Sequence, residues 1–591
     1  MSPILKILPD GIDLAATEGE GLDDALAKAG IPLSLYCGGR GLCGKCFVEI
    51  VRGTLPEAGE DERALAARRR LAPHFRLACR VRIAGDLAVR IPASSLLPRM
   101  PVLSQGVERS FALDPAVRKI RLAIPSPALT EPQALFDLVR ARFPGEGLTA
   151  SPDALRSLVR AWAEGGGPAG EITVVLHGGR ELLAVEPGDT ADRAFGLALD
   201  LGTTTVAAEL VDLVAGRVMA TATALNAQVK FGADVMSRIT AAFGDPARAE
   251  ELRRVLLDSL NALIGSLCES SGVAGREIYE AVVAGNTAMN HLFLGLPVDT
   301  LAVAPYFAVF SSIAPVQASE SGLKISSAGK VIVAPNLKSF VGGDISAGLA
   351  AIDAVHRPGN FLFIDLGTNG ELVLKNGSKF TATSTAAGPA FEGMAISCGM
   401  LAVPGAVFKA ADGKGTAVAV ETVGGEPPQG VCGTGLIDLV ALALRRGLVS
   451  PQGQIRDPSK AIPVADGIVL TQKDIREVQL AAAAVKTGIR MLLEAEGLSI
   501  PDLDEVYVAG AFGSYLDLGN AMALGLLPLV AREKIRFIGN SSLAGARAML
   551  LSMAERERCE ALAGRIGHES LARGSAFQSL FVDALEFREW S

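Results

Sequence analysis

The chain has little cysteine, little histidine and no excess of positive charge. Eight cysteines stand among 591 residues, too few and too unevenly placed for the disulfide framework of a small secreted domain. The five histidines fall nowhere within ligand spacing of one another, which excludes a histidine-built metal site. A net charge of −8 excludes the basic surface that a nucleic-acid backbone or an anionic bilayer demands, so no nucleic-acid and no membrane partner is expected. Long apolar runs are missing too. The one uncharged window of membrane-span length, Thr300 to Ser319 (TLAVAPYFAVFSSIAPVQAS), contains two prolines, three serines and a glutamine and makes a poor span. The opening MSPILKILPDGIDL has no basic stretch leading into an apolar core. No signal peptide is read there, and a cytoplasmic location is expected.

What is present is a hydrophobic content of 49% over a length that implies three or four domains. Three of the eight cysteines crowd into YCGGRGLCGKC, Tyr36 to Cys46, among four glycines. Cys37 and Cys43 are separated by five residues and Cys43 and Cys46 by two; a fourth, Cys79, follows in FRLACRVRI. Four thiolates are what a 2Fe–2S cluster requires, and this spacing is one residue longer in its first gap than the plant-type ferredoxin run. The glycines suit a loop wrapped round an inorganic group, which needs positive φ and amide groups turned toward sulfur. A zinc site and a redox disulfide are the alternatives. Zinc usually pairs one C-x2-C with a second close pair, and Cys79 stands alone. The flanking pattern predicts a β-grasp domain: a strand at ILKILP, a helix at GLDDALAKAG, a strand at FVEIVRG and two more strands in ACRVRIAGDLAVRIP. The scattered Cys268, Cys398, Cys432 and Cys559 are read as small core residues.

The C-terminal two thirds repeats itself. GLALDLGTTTVAAELVDL at Gly196 to Leu213 resembles FLFIDLGTNGELVLKNG at Phe361 to Gly377. EAVVAGNTAMNHLFLG at Glu280 to Gly295 resembles EVYVAGAFGSYLDLGNAMALG at Glu505 to Gly525. An aspartate at a strand end can hold a hydrated Mg²⁺, and a following Gly-Thr turn offers amides and hydroxyls to phosphate oxygens. Two such turns facing each other would clamp the phosphates of a nucleotide.

This pattern resembles the actin, hexokinase and acetate-kinase superfamily of ATPases. The resemblance implies that Asp200, Gly202, Thr203 and Thr204 form the first phosphate loop and Asp365, Gly367, Thr368 and Asn369 the second. Val508 to Gly513 (VAGAFG), with Gly510 and Gly513, would then form the adenosine loop. Asp344, in VIVAPNLKSFVGGDISAGLAAI, falls where the superfamily has its inter-lobe helix. It is expected either to position the attacking water or simply to cap that helix. Gly285 and Asn286, Gly388 in STAAGPAFEG and Gly433 in GVCGTGLIDLV are assigned to the same nucleotide cleft. Asp200, Asp344 and Asp365 are the catalytic candidates, and ATP with Mg²⁺ the expected ligand.

The expected organisation is a ferredoxin-like domain over 1–94 and a Pro- and Ser-rich linker over 95–111. A small α+β middle domain follows over 112–192, with two helices and a strand hairpin. A duplicated actin-like ATPase covers 193–591, its lobes 193–355 and 356–591. The tail is read as helical and then extended through FQSLFVDALEF.

Iron–sulfur and ATPase modules in one chain suggest electron transfer made possible by ATP. Plant-type clusters lie near about −400 mV, and each ~59 mV of uphill one-electron transfer costs tenfold in equilibrium. The full set of blocks, D-L-G-T-T at Asp200, V-A-G-N-T at Val283, G-G-D-I-S-A-G at Gly342, D-L-G-T-N-G-E at Asp365 and V-A-G-A-F-G at Val508, resembles the reductive activators of corrinoid-dependent methyltransferase systems. That resemblance implies one-electron reduction of a Co(II) corrinoid protein to Co(I) with ATP consumed. It further implies an external low-potential electron donor and a homodimer through the C-terminal domain. The rival readings are a sugar or acetate kinase, a redox-sensing ATPase regulator, and an ATP-driven donor to another low-potential enzyme.

Overall fold

A computed structural model of the chain describes residues 3–8, 11–29, 44–53, 55–68, 71–92, 109–123, 134–144, 147–164, 170–413, 417–510, 515–569 and 575–588, with 31, 33, 39, 41, 95 and 590 singly. The first unit is a five-stranded mixed sheet in the order Ile12–Ala15, Ile4–Leu8, Leu87–Arg90, Phe47–Arg52, Phe75–Leu77. Ile4–Leu8 runs antiparallel to its hairpin partner and parallel to Leu87–Arg90. Helix Leu22–Lys28 buries Leu22, Ala25 and Leu26 against this sheet. The result is the expected β-grasp layout with one correction. ACRVRI does not form a strand: Ala78–Arg80 is a 3₁₀ turn. A strand turns successive side chains to opposite faces, whereas here Leu77, Ala78 and Cys79 are all buried, which a turn allows.

The second unit is a four-stranded sheet in the order Val117–Ala123, Glu171–His177, Glu181–Pro187, Thr149–Ala150. Helices Leu135–Arg140 and Pro152–Glu164 supply Val139, Ala154, Leu158 and Ala161 to its core. The helices and hairpin match the reading of the sequence; the strands Val117–Ala123 and Thr149–Ala150 are additional.

Two six-stranded sheets follow. The first runs Arg217–Leu225, Thr205–Asp212, Phe195–Leu201, Ile278–Gly285, Lys330–Val333, Val316–Gln317. The second holds Lys379–Thr385, Gly370–Asn376, Phe361–Leu366, Glu505–Ala509 and Ile535–Gly539 in the same order, with Ile566–His568 beside Lys379–Thr385. In each lobe three strands form an antiparallel meander and two more add in parallel. The sequence repeat is therefore a structural repeat.

The helix after the fifth strand of each lobe reaches toward the other. Gly343–Ala351 lays Ile345 and Leu349 against Phe361, Phe363 and Val373 of the second sheet. Ser541–Leu551 packs Leu543, Ala546, Met549 and Leu550 against Ala198, Val211 and Val282 of the first. Arg547 fastens it there with two 3.0 Å bonds to the Glu209 carboxylate. The two helices touch backbone to backbone: a Cβ on Gly545 would lie 1.9 Å from the Ala347 carbonyl oxygen.

The tail differs from expectation, since Ser575–Ala584 is a helix. Phe577 and Phe581, four residues apart, stack with ring centroids at 5.7 Å, the i,i+4 contact of a helix face. Within the window 300–319 the chain forms only the end of a one-turn helix (Asp299–Ala302), the strand Val316–Gln317 and the start of a second one-turn helix (Ala318–Ser321). Among the described residues no helix is long and apolar enough to cross a membrane.

Candidate cluster loop and nucleotide cleft

Of the four expected cluster ligands, Cys37 and Cys43 lie outside the described residues. Cys46 and Cys79 are buried with their sulfur atoms 3.4 Å apart. That is too long for the ~2.05 Å of a disulfide and close to the roughly 3.7 Å edge of a tetrahedron of ~2.3 Å metal–sulfur bonds. The pair therefore suits two thiolates on one metal ion. Gly39, Gly41 and Gly44 all take positive φ (71°, 71° and 65°). A side chain at Gly41 would also collide with Arg80, its Cβ 2.2 Å from Nε. The loop is held against the turn that carries Cys79.

In the ATPase unit the two Asp-Leu-Gly-Thr turns meet. Thr204 and Thr368 approach with hydroxyls 3.2 Å apart. Both donate to Oε2 of Glu392, at 2.6 and 2.8 Å. Asp200, at the end of Phe195–Leu201, accepts from Asn540 Nδ2 and Ser542 Oγ, each at 2.8 Å. Gly202 sits where a Cβ would be 2.3 Å from the Thr205 carbonyl oxygen. Its own carbonyl accepts from Asn226 Nδ2 at 2.9 Å. Arg238, fully buried, donates to the Thr203 carbonyl and bonds Gly232 O and Gln228 Oε1 at 3.1 Å each. Gly388 (φ 75°) has open space where a Cβ would go, and Gly367 nearly so. Such room suits a bound group approaching the backbone.

The VAGN and GGD blocks meet behind this floor. A Cβ on Gly342 would lie 2.4 Å from Thr287 N and 2.6 Å from Asn286 Cα. Asn286 spends its side chain on Ala288 N and Phe340 O, at 3.1 and 3.2 Å. It fastens two segments to each other. A Cβ on Gly285 would touch Leu201, so that glycine serves close packing. Asp344 is not the helix cap: Gly342 holds that position, and Asp344 lies inside the first turn with Oδ1 accepting from Ile345 N at 2.9 Å. Gly433 opens helix Gly433–Arg445, which packs on the turn Pro389–Glu392. Gly510 (φ 103°) lies against Asp365, and Gly513 falls outside the described residues.

The electrostatics of this floor are those of crowded carboxylates in poor contact with water. Burial first, then the charges of Asp344, Asp200 and Glu392, push the Asp365 carboxyl up to about 7. Asp344 also rises to about 7, through burial opposed by the Ile345 amide and reinforced by Asp200. Glu371 is raised by burial and by Asp344 and Asp365. Glu392 and Asp200 are raised by burial against their hydrogen bonds. Among the described residues no three acidic, histidine or cysteine side chains are placed to hold a metal directly. A Mg²⁺ here would keep much of its water, as that ion commonly does, and these acceptors fit that shell.

Glu392, Glu371, Asn540, Ser542, Asn226 and Arg238 were not singled out from the sequence. Glu392 and Glu371 lie inside the quoted blocks STAAGPAFEG and DLGTNGE and were legible as polar residues there. Asn540 and Ser542 come from a strand–helix junction some 340 residues from Asp200, and no spacing rule reaches that far.

A cysteine-loop β-grasp domain joined to a two-lobed sheet ATPase defines the class: an iron–sulfur protein with an actin-like nucleotide cleft. Comparison with known proteins agrees along the chain. Residues 5–84 match the 2Fe–2S iron–sulfur cluster binding domain, 106–192 the RACo linker region, 195–357 the RACo middle region, and 359–590 the C-terminal ASKHA domain of RACo. The corrinoid activation enzyme RamQ of Eubacterium limosum is 30% identical over 98% of both chains. The [Co(II) methylated amine-specific corrinoid protein] reductase of Methanosarcina barkeri is 29% identical over 66% of this chain and 77% of its own. A solved structure described as a reductive activator for corrinoid, iron–sulfur protein superposes with a TM-score of 0.75 at 34% identity, covering 99% of this chain and 98% of that one. The chain belongs to the family of corrinoid-activating reductases.

Proposed function

We propose that the protein reduces an inactive Co(II) corrinoid protein to its Co(I) form, passing one electron from a 2Fe–2S cluster and using ATP. One observation carries the reading: the Cys46–Cys79 pair and the closed Thr204–Glu392–Thr368 contact occur in one chain, so electron carriage and nucleotide response are physically joined. When bound, the cluster supplies a one-electron carrier of low potential. Cys37, Cys43, Cys46 and Cys79 would hold it. Asp200, Asp344 and Asp365 would order water and Mg²⁺ beside the phosphates. Thr204, Thr368 and the open backbone at Gly367 and Gly388 would receive the phosphates themselves. The chain can do uphill work because a nucleotide favours one arrangement of the two lobes over another. We further propose an external low-potential donor, a homodimer through the C-terminal domain and a cytoplasmic setting.

The test mixes reduced protein, Mg-ATP and candidate Co(II) corrinoid proteins under anaerobic conditions and follows the Co(I) absorption band. Appearance of the band only with ATP is expected. Phosphorylation of a small molecule with no corrinoid reduced would instead support the kinase reading.

A further inference from the structure

Lys45 stands between Gly44 and Cys46 in the cluster loop, yet its side chain leaves the ferredoxin-like unit. Nζ donates to the backbone carbonyl of Gly399 in the second lobe, and the side chain is buried. Gly399 ends a tight loop whose two ends touch. A Cβ on Gly399 would lie 2.2 Å from the Gly393 carbonyl oxygen, and one on Gly393 (φ 75°) would lie 2.5 Å from the Met400 carbonyl oxygen. No side chain separates these backbones, so a shift at Gly393 is a shift at Gly399. The far side of the loop is pinned: Ser397 donates to Asp474 through N at 2.7 Å and Oγ at 2.5 Å. Asp474 is itself fixed in the capping box of helix Gln472–Glu496.

The other end of the segment is Glu392, immediately before Gly393. Its Oε2 takes both phosphate-turn hydroxyls, Thr204 and Thr368. A carboxylate and a phosphate are both anionic acceptors, and they compete for the same donors. A nucleotide that engages these hydroxyls has to turn Glu392 away.

We propose that Glu392 is a latch displaced by nucleotide, and that residues 393–400 carry its movement to Lys45, so that nucleotide controls whether the cluster loop is docked on the second lobe. The inference rests on reading the Thr204 and Thr368 turns as the phosphate site. Without nucleotide the loop is held and Lys45 is covered. With nucleotide the Gly399 carbonyl moves, the lysine is released, and the cluster-bearing face becomes available to another protein.

Lysine acetylation read by mass spectrometry tests this on the full-length, cluster-loaded protein, with a fluorescent ATP analogue reporting nucleotide binding in parallel. Lys28, whose side chain is 75% exposed, is expected to react at the same rate with and without Mg-ATP. Lys45 is expected to react about tenfold faster with Mg-ATP, the scale of one lost charge-assisted hydrogen bond. Glu392→Ala is expected to react fast at Lys45 in both conditions. Glu392→Gln, whose amide oxygen still accepts from both hydroxyls, is expected to keep the nucleotide response. If nucleotide binds and Lys45 reactivity is unchanged, or is already high without it, the latch is overturned while the cleft reading stands. If no nucleotide binds, both fall. A Glu392→Ala protein that stays slow also overturns the latch. Should that variant not fold, the unsubstituted protein's two conditions decide the matter.

Discussion

With Asp344 and Asp365 beside the proposed phosphate site, nucleotide binding should depend on pH in a way that heat measurements read directly. At about 7, each carboxyl is roughly half protonated at pH 7, and the pair together carries about one proton. A cation beside a carboxylate favours its ionised form, so arrival of Mg-ATP expels that proton. The sign follows. The groups are raised in the nucleotide-free protein and lowered in the complex, so binding weakens as pH falls through 7 and levels off above about 8. The ionised fraction of each group rises about tenfold between pH 6 and pH 8. Affinity should rise about tenfold over that range if one group must ionise and about a hundredfold if both must. Titration calorimetry in buffers of different ionisation enthalpy should give a slope of about one proton released at pH 7 and nearly none at pH 9. The Asp344→Asn, Asp365→Asn double variant should lose that release, and protons contributed by the nucleotide itself cancel in the difference. Proton uptake would mean that the phosphates face these aspartates with no cation between them, and a release undiminished in the double variant would mean that these aspartates do not meet the cation.

Two further outcomes test the division of labour and the lobe joint. Cys79→Ser should abolish the visible cluster absorption while nucleotide still binds, because no cluster ligand lies in the phosphate turns; loss of cluster and nucleotide binding together would contradict separate sites. Gly545→Ala places a methyl against the Ala347 carbonyl and should lower stability in urea unfolding by about 1–3 kcal/mol, the usual cost of overpacking. An unchanged midpoint would show that the two crossing helices have slack.

Much of the cleft could be read in advance because its parts are local. Asp200 with Thr204, and Asp365 with Thr368, each lie within one strand and turn, so a short motif contains both the acid and the hydroxyl. The duplication then placed the two motifs in equivalent positions of equivalent sheets. The polar groups that complete the site obey no such rule. Asn540 and Ser542 reach Asp200 only because a helix from late in the chain lies on the first lobe, and Arg238 reaches the Thr203 carbonyl from a separate helix. Local pattern failed at Cys79, where a run resembling a strand closes into a turn to bury consecutive residues. It failed again at Ser575–Ala584, where the segment expected to be extended is a helix with Phe577 and Phe581 stacked four residues apart.

The helix Ser541–Leu551 also sets an order for biosynthesis. Strands from Phe195 to Val333 can pair as they leave the ribosome, but Ala198, Val211 and Val282 lack the cover of Leu543, Ala546, Met549 and Leu550 until that helix is made, about 200 residues later. At roughly 5–20 residues per second, the nascent first lobe waits about 10 to 40 seconds with an apolar sheet face exposed and Asp200 lacking its two partners. A chaperone that shields such a face during translation would therefore act on this chain before its second lobe exists.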